Sequence, residues 1–276
     1  MDLFLIILAL VWLVIASYCD LKKREVPNWL NFSLIIFALA YRAFYASIND
    51  DLMLFVYGLA GFLVFFGLAY AFYYARIFAG GDAKLLMGLG AILPFYSSIP
   101  GNLLNLWAFI FLFLLAGSFY GLLYSSILVV KNKKKFAGEF KKEFKSRKGL
   151  VYICLVLAVL SFGFYIYMQE IILLLLPLLL IIFPFLFVYA RSVENSCMIV
   201  GVPGNKATVG DWLYEKVKVR GKIVKPNWEG LSEEEVRLLR NVKKVKIKQG
   251  VPFVPVFLIA FVILIILKNS ILNLLS

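Results

Sequence analysis

The chain has 276 residues, 63% of them hydrophobic, and a formal net charge of +13. That apolar share exceeds the roughly 45–50% of a soluble domain, and it comes in blocks long enough to cross a bilayer, which excludes an ordinary soluble fold. Histidine is absent and the three cysteines, Cys19, Cys154 and Cys197, form no C-x-x-C pair; this removes Ser-His and Cys-His dyads, His-ligated zinc and a disulfide framework.

In chain order the apolar blocks predict eight spanning segments, at about 2–18, 29–47, 52–75, 83–99, 103–130, 150–168, 171–190 and 251–268. The first lacks a basic n-region and an A-x-A-like site and has Asp2 at its start, so it does not read as a cleaved signal peptide. The fourth is short and weak, with Gly88, Gly90 and Pro94 inside it. The pair at 150–190 reads either as a hairpin or as a re-entrant element around Gln169 and Glu170. The predicted class is an all-α polytopic membrane protein of about eight helices (six to eight) with a small cytoplasmic α+β insert. Five stretches follow: a transmembrane core at 1–130 carrying both aspartates discussed below, a basic loop at 131–149, an extra hairpin at 150–190, the insert at 191–250 and a final helix at 251–276. Within the insert, residues 212–225 suggest a hairpin turning near Gly221. Ser232 and Glu235 form a capping box opening a helix through about Asn241, and Lys243–Lys248 alternates as a half-buried strand does.

Charge sets the expected orientation. Nine Lys/Arg in 131–148 face only Glu139 and Glu143, and twelve in 206–248 face six acids. Basic blocks beside spanning helices mark the cytoplasmic side, which outranks a nucleic-acid reading. With the N-terminus outside, the loops at 20–28, 76–82, 131–149 and 191–250 all fall inside a plasma-membrane protein. Arg42 and Lys268 then lie near outer helix ends, where they are expected to snorkel. The basic blocks suit anionic lipid headgroups, although enforcing orientation is the preferred reading of 131–148. Trp12, Trp29, Tyr41 and Trp107 read as interfacial anchors or packing residues.

Asp20 ends the first segment and Asp82 opens the fourth, in Phe78-Ala79-Gly80-Gly81-Asp82-Ala83-Lys84. The topology places both at the cytoplasmic membrane edge. Two facing carboxylates there suit peptide hydrolysis: like charges a few ångströms apart do not both ionise easily, so one keeps a proton, and the pair supplies a base and an acid. Gly80 and Gly81 permit positive φ and close approach of another chain. Taken singly, each aspartate has a plain reading, as a solvated helix end or a helix cap. Lys84, two residues after Asp82, either biases the pair or snorkels. Glu25 meets a basic leader or, more simply, a nearby Lys. Cys19 reads as a small buried core residue. The rival classes are an ion-coupled transporter with Asp20 and Asp82 as ion sites and a structural membrane protein.

Asp20 followed by Val26-Pro27-Asn28-Trp29, with Gly80-Gly81-Asp82-Ala83-Lys84-Leu85-Leu86 running on to Gly88-Leu89-Gly90-Ala91, resembles the type IV prepilin peptidases among the GxGD membrane aspartic proteases. Gly250-Val251-Pro252-Phe253-Val254-Pro255, after a basic insert, is similar to the archaeal preflagellin (archaellin) peptidases. The resemblance is strongest over residues 1–95. It implies that Asp20 and Asp82 are the catalytic pair, with Pro27, Asn28, Gly80, Gly81 and Lys84 as supporting motif residues. It also implies cleavage of class III signal peptides from archaellin or pilin precursors, which carry a basic leader and a hydrophobic helix, with no metal or organic cofactor. Ala79 stands where the family has the first Gly of its motif; alanine lacks glycine's freedom at positive φ, so the loop at 79 departs from the pattern. The zinc-binding loop of bacterial relatives is missing, which argues against their N-methyltransferase activity. The 150–190 pair is extra to a six-helix archaeal core and points toward a pilin-specific relative.

Overall fold

The computed structural model describes residues 3–95, 98–219, 221–227 and 229–275. Asp2 and part of the predicted fourth segment, at 96–97, lie outside the described residues. The chain is an all-α polytopic membrane protein with a small sheet-bearing insert. Among the described residues, six helices are long and apolar enough to cross a membrane, and Val254–Lys268 forms a shorter apolar helix. Contacts divide the chain into two compact units, one running to Leu122 and resuming at Val251, the other covering Leu123–Gly250.

The first unit holds α1 (Leu3–Lys23), α2 (Asn28–Ile48), α3 (Leu52–Tyr74), α4 (Gly80–Ile92), the first part of α5 (Ile99–Lys131) and α10 (Val254–Leu275). α1 and α2 run antiparallel: Phe4 stacks on Tyr41 at 4.3 Å between centroids, and Trp12 Nε1 donates to Ser33 Oγ at 2.9 Å. The turn between them is set by Arg24, whose φ of 58° lets its amide donate to the Asp20 carbonyl at 2.7 Å, a left-handed helix stop. Pro27 then presets the start of α2 with φ −59°.

The predicted fourth span is instead a core helix. α4 has 13 residues, about 20 Å of rise against the ~30 Å of a hydrocarbon core. From Leu85 to Leu93 all but Met87 are buried. Small residues let its neighbours close on it, as between helices in membranes. A methyl group added at Gly90 would lie 2.5 Å from Phe65 Cβ and 2.6 Å from the Gly61 carbonyl. Gly90→Ala is therefore expected to destabilise the protein by ~1–3 kcal/mol through overpacking. Thermal unfolding in detergent checks this against Gly67→Ala, whose new methyl meets nothing within 4 Å.

A short intramembrane helix leaves carbonyls without water at its end, and two side chains take them up. Arg42, 4% exposed, donates through Nε to the Ala91 carbonyl at 2.7 Å and through Nη2 to Ile92 at 3.0 Å and Pro94 at 2.6 Å. Its Nη1 reaches the Leu54 carbonyl at 3.0 Å. Asn105, also buried, donates to the Leu93 carbonyl. Arg42 thus does not snorkel: the carbonyls at the end of α4 hold it inside. Lys268 is likewise buried, its Nζ 4.5 Å from the centre of the Phe95 ring.

The second unit begins in the last turns of α5, where Ser125 Oγ lies 3.1 Å from Tyr189 Oη. The predicted loop at 131–149 contains a helix, α6 (Lys133–Ser146). Lys and Glu are good helix formers, and Phe136, Phe140 and Phe144, four residues apart, make one face. That face packs on α8 (Leu175–Cys197), with Phe136 against Tyr189 and Phe144 against Phe185. The 150–190 pair forms two helices, α7 (Lys148–Met168) and α8, in segments each long and apolar enough to cross a membrane. Left-handed Gln169 and a 3-10 turn at Ile171–Leu174 join them. α8 runs seven residues past the predicted end at 190.

The insert carries β1 (Ile199–Val202), β2 (Trp212–Leu213), β3 (Val217–Val219), β4 (Lys222–Val224), α9 (Glu233–Leu239) and β5 (Val245–Lys248). β5 is the centre of a three-stranded antiparallel sheet ordered β1-β5-β2, and β3 pairs with β4 about Gly221. The Ser232–Glu235 capping box is present in both directions. Val245 and Ile247 point into a small core with Leu213, Leu231 and Leu239.

Candidate functional site

Both aspartates lie in the first unit, where α1 ends and α4 and α10 begin. Asp20 is 6% exposed, and its Oδ2 accepts from the Val254 amide at 2.9 Å. It sits at the N-terminus of α10, where free amides and the helix dipole favour a carboxylate. The amide of Phe253 is also directed at it, and the charge of Arg24 reaches it. The segment Gly250–Pro255, notable in the sequence only as a motif, thus supplies backbone donors to Asp20.

Asp82 occupies the first turn of α4 and is half-buried. Its Oδ2 accepts from the Ala79 amide at 3.4 Å, one arm of a capping arrangement. Burial disfavours the charged form of the Asp82 carboxyl, and Asp20 is near enough for its charge to add to that effect. Such a pair shares a proton instead of carrying two charges, and its titration belongs to both members.

The motif stretches around the aspartates meet. A methyl group added at Gly81 would lie 3.3 Å from Val26 Cβ, so the two loops touch where Gly81 has no side chain. Lys84 Nζ donates to Asn28 Oδ1 at 2.7 Å and lies 5.4 Å from the Phe32 ring centre, tying α4 to the start of α2. Pro27 precedes that start, half-buried. Behind the loop, Phe78 packs edge-on against Phe72 at 5.0 Å and Phe113 at 5.7 Å, and this aromatic plug fixes where α4 begins.

Four expectations change. Ala79 has φ −72° and ψ 161°, ordinary extended backbone, so alanine is at ease there. Gly80 and Gly81 do not take positive φ either; the positive-φ glycines among the described residues are Gly210, Gly221 and Gly230. Close approach to Val26 is what calls for glycine at 81. Glu25 is exposed, and among the described residues it pairs with no Lys or Arg. Cys19 is half-buried instead of buried. Among the described residues no three acids or cysteines gather as metal ligands.

Sequence reasoning missed Asn31 and the Val254 amide. Asn31 is fully buried and its Nδ2 donates to the Gly81 carbonyl at 3.3 Å, one residue before Asp82. The available signal was an amide side chain inside an apolar helix, since polar groups within membranes are costly. No sequence signal points to a backbone amide more than two hundred residues from the carboxylate it serves.

Residues 7–126 match the sequence model of the type IV leader peptidase family, a stretch that includes both aspartates. The preflagellin peptidase of Methanocaldococcus jannaschii is 37% identical over 91 residues, 33% of this chain and 38% of that protein. The preflagellin peptidase of Methanococcus maripaludis is 36% identical over 106 residues, 36% of this chain and 45% of that protein. Prepilin peptidase EppA of Methanothermobacter thermautotrophicus is 32% identical over 98 residues, 36% of this chain and 26% of that protein. The chain therefore matches less than half the length of each of these relatives.

Proposed function

We propose that the chain is a membrane aspartic endopeptidase that removes basic class III leaders from archaellin- or pilin-type precursors, with Asp20 and Asp82 as its catalytic pair. One observation carries the reading: Asp20, buried at the end of α1 against the Val254 amide, and Asp82, in the first turn of α4, lie near enough at one end of the helical unit for their charges to oppose one another. In the pair's singly protonated state, the ionised aspartate takes a proton from water as the water oxygen bonds to the scissile carbonyl carbon. The protonated aspartate donates to the carbonyl oxygen, and the resulting tetrahedral species breaks its C–N bond as a proton passes to the leaving amine. Gly81 lets the Val26 turn close against the Asp82 loop, and the Lys84–Asn28 hydrogen bond holds the two loops together.

The site end of the unit faces the cytoplasm in this reading, because Lys22, Lys23, Arg24 and Arg76 flank it. The substrate's hydrophobic helix enters beside the protein from the bilayer, and the basic stretches rest against anionic headgroups. The test is expression in membranes with a tagged precursor whose basic leader ends in Gly. Wild type is expected to release the shortened product, and Asp20→Asn and Asp82→Asn are expected not to. Cleavage that persists in both variants would remove the pair from the mechanism, and wild-type membranes that cleave no such precursor would return the aspartates to the ion-site reading.

A further inference from the structure

Two polar atoms beside the aspartates have no hydrogen-bond partner. Ser17 is 6% exposed and Asn31 fully buried, yet Ser17 Oγ and Asn31 Oδ1 are both unsatisfied. Ser17 lies one helical turn before Asp20, on the same face of α1. Asn31 holds the carbonyl of the residue before Asp82 through its other amide atom. The antiparallel register of α1 and α2, fixed by the Trp12–Ser33 hydrogen bond and the Phe4–Tyr41 stack, brings Ser17 level with the first turns of α2, where Asn31 sits. Each aspartate is thus accompanied by one buried orphan group, a hydroxyl donor near Asp20 and an amide oxygen near Asp82.

Buried polar groups without partners destabilise a fold, more so in a low-dielectric interior. A peptide backbone offers what these two lack: a carbonyl to accept and an N–H to donate. We infer that Ser17 and Asn31 form a main-chain subsite beside the aspartates, with Ser17 Oγ donating to a substrate carbonyl and Asn31 Oδ1 accepting a substrate amide N–H next to the scissile bond. The inference rests on the peptidase reading and adds to it the groups that fix the substrate's backbone. Backbone contacts of this kind are blind to residue type.

The test uses the full-length protein in lipid nanodiscs and synthetic precursor peptides. In one series, single amide N–H groups flanking the scissile bond are replaced in turn by ester oxygen; in another, single carbonyls are replaced by thioamides. One ester position is expected to lower wild-type kcat/KM about tenfold, the size of one lost hydrogen bond, and to cost Asn31→Ala less than about twofold. One thioamide position is expected to show the same pattern against Ser17→Ala, a change small enough to keep the fold if Asn31→Ala does not. Ester and thioamide penalties equal in wild type and variants would overturn the subsite and assign the two atoms to a structural water. Wild type that fails to cleave the unmodified peptide would sink the peptidase reading instead, so the two failures are distinguishable.

Discussion

Asp20→Asn and Asp82→Asn are each expected to lower precursor cleavage by about 10³-fold or more, in the range of a lost general acid or base, while the protein stays folded. The choice of asparagine matters. Asp20 Oδ2 accepts from the Val254 amide at 2.9 Å, and an asparagine oxygen accepts there equally well, so the start of α10 keeps its partner. Alanine would leave that buried N–H unpaired, at a cost of ~1–3 kcal/mol, and would confuse a stability loss with a chemical one. The double variant is expected to be no slower than either single one, because members of one catalytic unit do not contribute additively. The pH profile of wild type is expected to be bell-shaped: the acid limb protonates both carboxyls and removes the base, the alkaline limb ionises both and removes the acid. Rates on a tagged precursor across pH, with thermal unfolding on the same preparations, provide the check. A single variant that keeps most of its activity would dissolve the pair.

Arg42→Met is expected to cost ~3 kcal/mol or more, given that hydrogen bonds to charged groups contribute about 1.5–3 kcal/mol and buried carbonyls left unpaired add to the loss. The guanidinium reaches four backbone carbonyls, three of them at the end of α4. It also places a positive charge where the helix dipole is negative. Arg42→Lys is expected to recover only part of the stability, since an ammonium lacks the planar fork that spans carbonyls on separate residues. A snorkelling arginine would behave differently: lysine would replace it without loss, and methionine would cost little. Unfolding in detergent or by titrated denaturant decides between the two, with Arg42→Lys as the sensitive case.

Local signals in this chain were legible and long-range ones were not. The capping box at Ser232 and the alternation of Val245 and Ile247 need only neighbours along the chain, and both elements occur where the pattern put them. β1 went unseen because Ile199–Val202 becomes a strand only by pairing with β5, more than forty residues on. α6 went unseen because a run of lysines hid a four-residue phenylalanine spacing whose partner face lies on α8. At the candidate site, the two aspartates stand out by their contexts, and the structure brings those contexts into contact through Gly81 and Val26. What supports them does not stand out. Arg42 looks like an interfacial charge until α4 proves too short to span, and Asn31 looks like one polar residue in an apolar helix until Gly81 is found against it. Ala79 gave the opposite error, because a motif written in glycines suggested positive φ where the backbone is extended.

The amide that meets Asp20 has a consequence for the order in which the protein is made. Asp20 and Asp82 leave the ribosome early, but Val254 follows Asp82 by about 170 residues, roughly 10–35 s of synthesis at ordinary elongation rates. Until then the carboxylate on α1 has no α10 to sit against, and Phe253 and Phe257 are missing from the aromatic plug behind Phe78. The growing chain therefore carries both aspartates through that stretch of synthesis without the α10 amide at Asp20, and in the proposed reading the site is complete only once α10 enters the membrane.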